Sequence, residues 1–281
     1  MFRFRGIKAL LPRGHFLFRH SFATFSIIND SISVLLHPKT NTEIYLVGSN
    51  HSSKESVKLV EEVASIVRPT TIAVELCEER LVDYGYFDDE ELEKSYEIPA
   101  LRSSKLANLP DCKFFYYRLA EYEFTWAFYN SIFKQNNIQE EDVGGEMQYL
   151  LDYARGRELP IICLDRDNYE LVVNTLACWR EYLFNTKNRR LIKLLGSRRT
   201  LTRAEQTDYH KILKENLPNI YHHYVEVRDM IMAEKLLLYC SQLSSKQKIV
   251  AAVGLAHLPG IEKHWHKNSI SSNYFTYSGQ I

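Results

Sequence analysis

The chain has 281 residues, of which 45% are hydrophobic and 25% are charged, and its 35 basic side chains are balanced by 35 acidic ones. This composition is typical of a soluble globular protein of one or two domains, and the balanced charge favours no nucleic-acid partner. No run approaches the roughly 20 apolar residues that a spanning helix needs, so we predict no transmembrane segment. The five cysteines lack a C-x-x-C pair, which predicts reduced thiols.

Residues 1–29 differ from the rest of the chain. They are basic, interleaved with Phe and Leu, and followed by the first acidic side chain, Asp30. A basic segment without acids is typical of an organelle transit peptide, so we predict a mitochondrial protein. The alternative is a cytoplasmic protein with a disordered basic N-terminus. We expect residues 30–281 to form a single domain.

Short β-branched runs then alternate with helical periodicities, which favours an α/β sheet over a bundle or a sandwich. Residues 33–36 and 43–48 predict a hairpin. A helix capped by Ser52 or Ser53 is expected to run to about Val67. A strand at 70–76 would complete a β-α-β unit with a right-handed crossover.

Residues 83–143 interrupt this alternation of strands and helices, because they are first acidic, then aromatic and finally polar. We interpret them as a helical insertion with one apolar face, and a lid over a site is the alternative. After this insertion we predict a helix at 144–160 and strands at 161–165, 248–254 and 274–278. The predicted fold is α/β, with a mixed, mostly parallel central sheet flanked by helices.

Four side chains suited to metal or proton chemistry follow the ends of four predicted strands. His51 lies three residues past the first strand, Glu75 and Asp165 end the next two, and His257 lies three residues past the last. Ligands of an open parallel sheet bind beyond the carboxyl ends of its strands, so we expect these groups to converge. Each histidine ends a G-x-x-H corner, whose glycine permits a close backbone approach.

Two chemistries fit this set of residues. Two neutral imidazoles and a carboxylate can hold a divalent ion of the Zn, Mn or Co class and leave a position for water. Alternatively, a carboxylate orients a histidine that acts as a general base without a metal. The residues alone leave both chemistries open.

Three arginines near these groups could pair with the carboxylates or hold an anionic part of a substrate. Arg228 lies on a largely apolar helix, where an unpaired guanidinium would be costly. We therefore expect Glu75, Asp165 or a substrate anion beside it. Arg80 and Arg166 follow the same two carboxylates closely in the sequence.

Five segments together resemble the TraB family, which is related to the bacterial pheromone-shutdown proteins and more distantly to the Tiki proteases. These segments are IYLVGSNHSSKESV, IAVELCEERL, GGEMQYLLDYARGRELPIICLDRD, VRDMIMAEKL and VAAVGLAHLPGI. The resemblance covers most of residues 43–261. It does not include the N-terminal 30 residues, and it is poor in residues 83–143.

The resemblance implies an erythromycin-esterase-like, ChaN-like fold and metal-dependent proteolysis of the Tiki type. It implies that His51 and His257 are metal ligands, that Glu75 is the acidic ligand, and that Glu146 is a base or a group that orients a ligand. Asp165 remains a further candidate ligand. Eukaryotic members are associated with the mitochondrial outer membrane, which implies a peripheral association there.

We therefore predict a metal-dependent hydrolase that acts on a peptide or a small molecule. Glu75 and Glu146 would be its catalytic carboxylates, and Arg80, Arg166 and Arg228 would bind an anionic part of the substrate. One alternative is a non-catalytic protein that binds a peptide or a partner at the mitochondrial surface. The other is a metal-free, esterase-like hydrolase with His51 as its base.

Overall fold

The computed structural model describes residues 24–51, 53–81, 84–85, 144–166 and 202–275. Within these ranges six strands form one sheet: β1 (Thr24–Asn29), β2 (Ile32–Leu36), β3 (Glu43–Ser49), β4 (Thr71–Val74), β5 (Ile161–Cys163) and β6 (Lys248–Gly254). Their order across the sheet is β1-β2-β3-β6-β4-β5. The first two pairings are antiparallel and the other three are parallel. This arrangement confirms the predicted α/β fold.

The described residues form six helices, four of which cover the two faces of this sheet. They are α1 (Lys54–Val67), α2 (Gly145–Arg155), α3 (Arg203–Asn216), α4 (Pro218–Tyr221), α5 (Val227–Gln242) and α6 (Leu258–Phe275). Short 3₁₀ turns occupy Glu78–Leu81 and Leu255–His257, and a π-helical turn at His222–Glu226 joins α4 to α5. None of these helices combines the length and the hydrophobicity that crossing a membrane requires.

The two hydrophobic cores follow from the alternation of side chains along β6. Ile249, Ala251 and Val253 point to the face covered by α5 and α6, where Trp265 is fully buried. The alternate residues of β6 point to the opposite face, which α1 and α2 cover. Because both faces are covered, the central strands β4 and β6 are largely apolar, and polar side chains concentrate where these strands end.

The parallel strands deliver the ends of three segments to one edge. Ser49 at the end of β3 is in register with Gly254 at the end of β6. Beyond the end of β4, the amide of Glu75 donates to the carbonyl of Ala252, at a nitrogen–oxygen distance of 3.1 Å. The segments that carry His51, Glu75 and His257 therefore leave the sheet side by side.

Most of the predicted elements are confirmed, including the hairpin, the helix after it and the strand that ends at Gly254. The edge strand predicted at 274–278 is wrong where it can be compared, because α6 continues through Phe275. Extending an existing helix adds one hydrogen bond per residue, which outweighs the strand preference of aromatic side chains.

Two predictions concern residues outside the described ranges. The insertion at 83–143 lies there except for Tyr84 and Gly85, and residues 1–23 of the basic segment lie there too. The last six residues of that basic segment form β1, so the sheet begins at Thr24 rather than after Asp30. Cys77, Cys163 and Cys240 are buried free thiols, as predicted.

Candidate active site

His51 is held at the end of β3 by a buried carboxylate. Its Nδ1 lies 2.5 Å from Oε1 of Glu146, and the same oxygen accepts a hydrogen bond of 2.9 Å from the Ser49 hydroxyl. The carbonyl of His51 accepts the amide of Gly144, which immediately precedes α2 and so places Glu146 in the first turn of that helix. Glu146 is fully buried, whereas the side chain of His51 is 41% exposed.

His257 is held in the same way from the other side. Its Nδ1 lies 2.6 Å from Oδ1 of Asp229 on α5, and both side chains are buried. Gly260 allows this approach, because a Cβ at that position would lie 1.7 Å from Oδ2 of Asp229. With each Nδ1 beside a carboxylate, the Nε2 atom of each ring is left for other contacts.

Both Nε2 atoms face Glu75. That of His257 lies 3.3 Å from Oε1 of Glu75, and that of His51 lies 3.8 Å from Oε2. Oε2 also accepts a 2.5 Å hydrogen bond from the amide of Gly254. The two rings, although about two hundred positions apart in the sequence, thus converge on a single buried carboxylate.

Arg228 neutralises the acidic side of this cluster. Its Nε and Nη2 donate to the two carboxylate oxygens of Asp165 at 3.0 and 2.8 Å, and Nη2 also donates to Glu75. Nη1 lies 3.1 Å from Nε2 of His257. A neutral His257 accepts a hydrogen bond from Arg228 at this position, whereas a protonated one donates to Glu75 instead.

Within the cluster, charge interactions and hydrogen bonds together shift the pKa values more than burial does. Burial raises the pKa of Glu75, but the charges of His257 and Arg228 hold it well below its usual range. Burial favours the neutral form of His257, yet Glu75 and Asp229 raise its pKa to about 9. The pKa of His51 is likewise raised against burial, by Glu146 and then Glu75. Both imidazoles therefore attract a proton or another cation.

Gly254 keeps the centre of the cluster open. A Cβ built on it would lie 3.1 Å from Nε2 of His51, 3.3 Å from Oε2 of Glu75 and 3.3 Å from Cδ2 of His257. Two of the three atoms that line this space, Nε2 of His51 and Oε2 of Glu75, are of the kind that a divalent ion prefers. No three acidic, histidine or cysteine side chains of the described ranges are already placed as a metal site, and the guanidinium of Arg228 contacts two of these donors.

Comparison with known families agrees with the resemblance seen in the sequence. The model that describes the TraB/PrgY/gumN family matches residues 165–269 of this chain. Residues 165–269 belong to the TraB/PrgY/gumN family. The matched segment includes Asp165, Arg228, Asp229 and His257, which lie on one side of the cluster.

A relative in an archaeon is similar to this chain over a longer region. It is an uncharacterized protein of Methanocaldococcus jannaschii, 30% identical over 236 residues, which are 80% of this chain and 54% of the relative. The chain therefore spans about half the length of this relative.

The structure brings most of the predicted site residues together. His51, His257 and Glu75 form the centre, and Glu146 supports one of the rings. Asp165 faces Arg228, so it lies behind Glu75 and does not share the contact with the imidazoles.

The other two predicted anion-binding residues follow strands β5 and β4 in the chain. Arg166 is buried, and its Nη2 donates to the carbonyl of His223 at 2.9 Å. Arg80 is half-buried in the 3₁₀ turn that follows β4. Anion binding by these two arginines stays a prediction.

Asp229 is the site residue that the sequence reasoning missed. It lies on the buried stripe of α5 with Met232, Ala233 and Leu236. A carboxylate on an apolar stripe is energetically costly unless it has a partner. Its place on this stripe could therefore have identified Asp229 as a site residue.

Replacing Asp229 by Asn is expected to lower the pKa of His257 below its value of about 9, because the Asp229 hydrogen bond raises it. We also expect metal affinity to fall about 10- to 100-fold, the usual effect of losing a carboxylate that orients a histidine ligand. Titration of His257 by NMR on the metal-free protein and chelator competition measure the two effects. Gly260→Ala should act similarly by displacing Asp229. An unchanged His257 titration, with Asp152→Asn as the exposed control, would contradict this role.

Proposed function

We propose that this protein is a metal-dependent hydrolase of the peptidase type, in which His51, His257 and Glu75 hold the ion. The observation that carries the proposal is the convergence of two imidazole Nε2 atoms on Glu75, each ring being fixed through Nδ1 by its own carboxylate. Histidine ligands of metals almost always have their second ring nitrogen bonded to a carboxylate, a carbonyl or water, as both rings do here.

The chemistry of the donor atoms suits a divalent ion of the Zn, Mn or Co class. Two imidazoles and a carboxylate are a common catalytic set, and Gly254 leaves space among them. If Arg228 loses its contact with Nε2 of His257, its guanidinium still has two hydrogen bonds to Asp165. Such an ion, when bound, polarises a carbonyl group and lowers the pKa of water.

Three residues around the ion would have separate roles. Glu146 is fully buried and bonded to His51 and Ser49, so we assign it to orient His51 and to share the proton at Nδ1. His51 is the most exposed group of the centre and is placed to meet a substrate. We assign Arg228 to hold the charges of Glu75 and Asp165, rather than to bind substrate directly.

The test is metal analysis of the purified protein together with the variants His51→Ala and His257→Ala. We expect stoichiometric divalent metal and turnover of a mixed peptide pool in the parent, and loss of both in each variant. His222→Ala is the matched control, since His222 is an exposed surface residue paired with Glu226. Metal retained in both histidine variants would contradict the proposed ligand set.

A second function is favoured by the contact between Arg228 and His257. In a metal-free esterase-like hydrolase, His51 would act as the base, oriented by Glu146, and the guanidinium would supply the positive charge near the reacting group. Ester hydrolysis that resists chelators, by protein without metal, would identify this function. If the parent neither holds metal nor turns over peptides or esters, a non-catalytic binding role follows instead.

A further inference from the structure

Helix α3 packs beside the candidate active site. It contacts the 3₁₀ turn that ends at His257. Its first residue, Arg203, donates to Glu262 of α6 and, at 3.2 Å, to the hydroxyl of Ser33 on β2. Both partners are buried. This ion pair anchors α3 at its first residue, so the start of the helix is held against the sheet.

The inward stripe of α3 contains polar atoms that lack partners. Gln206, His210 and Leu213 are spaced three or four residues apart, and Leu213 is buried. Oε1 of Gln206 and Nε2 of His210 are both shielded from solvent, and among the described residues neither has a hydrogen-bond partner. Buried polar atoms of folded proteins nearly always have a hydrogen-bond partner, so two unpaired ones on one stripe call for an explanation.

The two unpartnered atoms have complementary hydrogen-bonding character. The carbonyl oxygen of Gln206 can only accept a hydrogen bond, whereas a ring nitrogen of neutral histidine can carry a proton and donate it. Burial, together with the charge of His257, lowers the pKa of His210 to about 4. The ring is therefore neutral near pH 7, and the pair suits an uncharged ligand that offers one donor and one acceptor.

A peptide group offers one N–H donor and one carbonyl acceptor. We propose that Gln206 and His210 form a substrate subsite that binds a backbone amide next to His257, with Gln206 accepting its N–H and His210 donating to its carbonyl. The inference rests on the proposed hydrolase function and names its substrate class, which is a peptide rather than a simple ester. Neither residue is assigned a chemical step.

The first test compares Gln206→Leu and His210→Phe with the parent on a pool of N-acetylated, C-amidated peptides. We expect KM to rise about tenfold in each variant, the effect of one neutral hydrogen bond, with kcat and metal content nearly unchanged. Tm should not fall, because each change removes an unpaired buried polar atom. Asp208→Asn on the exposed face of α3 is the control. Parent turnover with unchanged KM in both variants would overturn the subsite and leave the hydrolase function standing.

The second test needs no turnover, so it separates failure of the subsite from failure of the function. The ring nitrogens of His210 are followed by NMR while N-methylacetamide, or methyl acetate as its counterpart without an N–H group, is added. We expect a saturable shift with the amide that is weaker with the ester and weaker in Gln206→Leu. Equal responses to amide and ester, or no response, would overturn the proposal even if the protein hydrolyses peptides.

Discussion

Replacing Gly254 by alanine is expected to lower metal affinity and peptide turnover on the order of 10- to 100-fold while the fold is retained. The backbone at Gly254 has φ −58° and ψ 139°, which any residue adopts, so alanine adds no backbone strain. Its Cβ, however, would crowd Nε2 of His51, Oε2 of Glu75 and the ring of His257, all within 3.3 Å. Displacing reacting groups by a fraction of an ångström is enough for losses of this size.

The measurement is kcat/KM on the peptide pool, with metal content and circular dichroism on the same samples. Gly156→Ala is the matched control, because a Cβ there would meet only the carbonyl of Asp152 at an ordinary 3.4 Å. Normal metal content and turnover in Gly254→Ala would show that the cluster does not use the space above Gly254. The proposed ligand set would then be wrong even though the rings converge.

The convergence of His51, Glu75 and His257 could be predicted because a parallel sheet carries the direction of each strand to a common edge. Once 43–48, 70–76 and 248–254 are recognised as strands, the residues that follow them must leave the sheet together. The helix from Lys54 to Val67 was equally accessible, since its apolar positions repeat with helical spacing.

The partners of those residues could not be predicted in the same way. Asp229 contacts His257 because α5 packs against the start of α6, where Gly260 leaves room for the Asp229 carboxylate. Strand pattern carries no information about such helix packing. Arg228 was predicted to lie beside Glu75 or Asp165 and it contacts both, but the position of Asp165 behind Glu75 depends on the packing of α5, which the strand pattern does not reveal.

Replacing Arg228 by methionine is expected to lower the free energy of unfolding by about 3–5 kcal/mol at pH 7, the usual cost of leaving buried charges unpaired. The guanidinium is 14% exposed and its carboxylate partners, Glu75 and Asp165, are nearly inaccessible. Methionine preserves much of the volume but none of the donors. Arg155→Met is the control: its exposed pair with Asp152 should contribute under about 1 kcal/mol.

The pH dependence of this loss distinguishes charge from packing. The charges of His257 and Arg228 outweigh burial and hold the pKa of Glu75 well below its usual range. A carboxylate whose folded pKa is lowered stabilises the fold above its unfolded pKa of about 4.3, and this contribution is lost as the pH falls. Without Arg228 the pKa of Glu75 rises, so at pH 4 the variant can neutralise this buried carboxylate by protonation while the parent keeps it ionised. Urea unfolding should therefore show a smaller difference between parent and Arg228→Met at pH 4 than at pH 7. An equal difference at both values would assign the effect to packing.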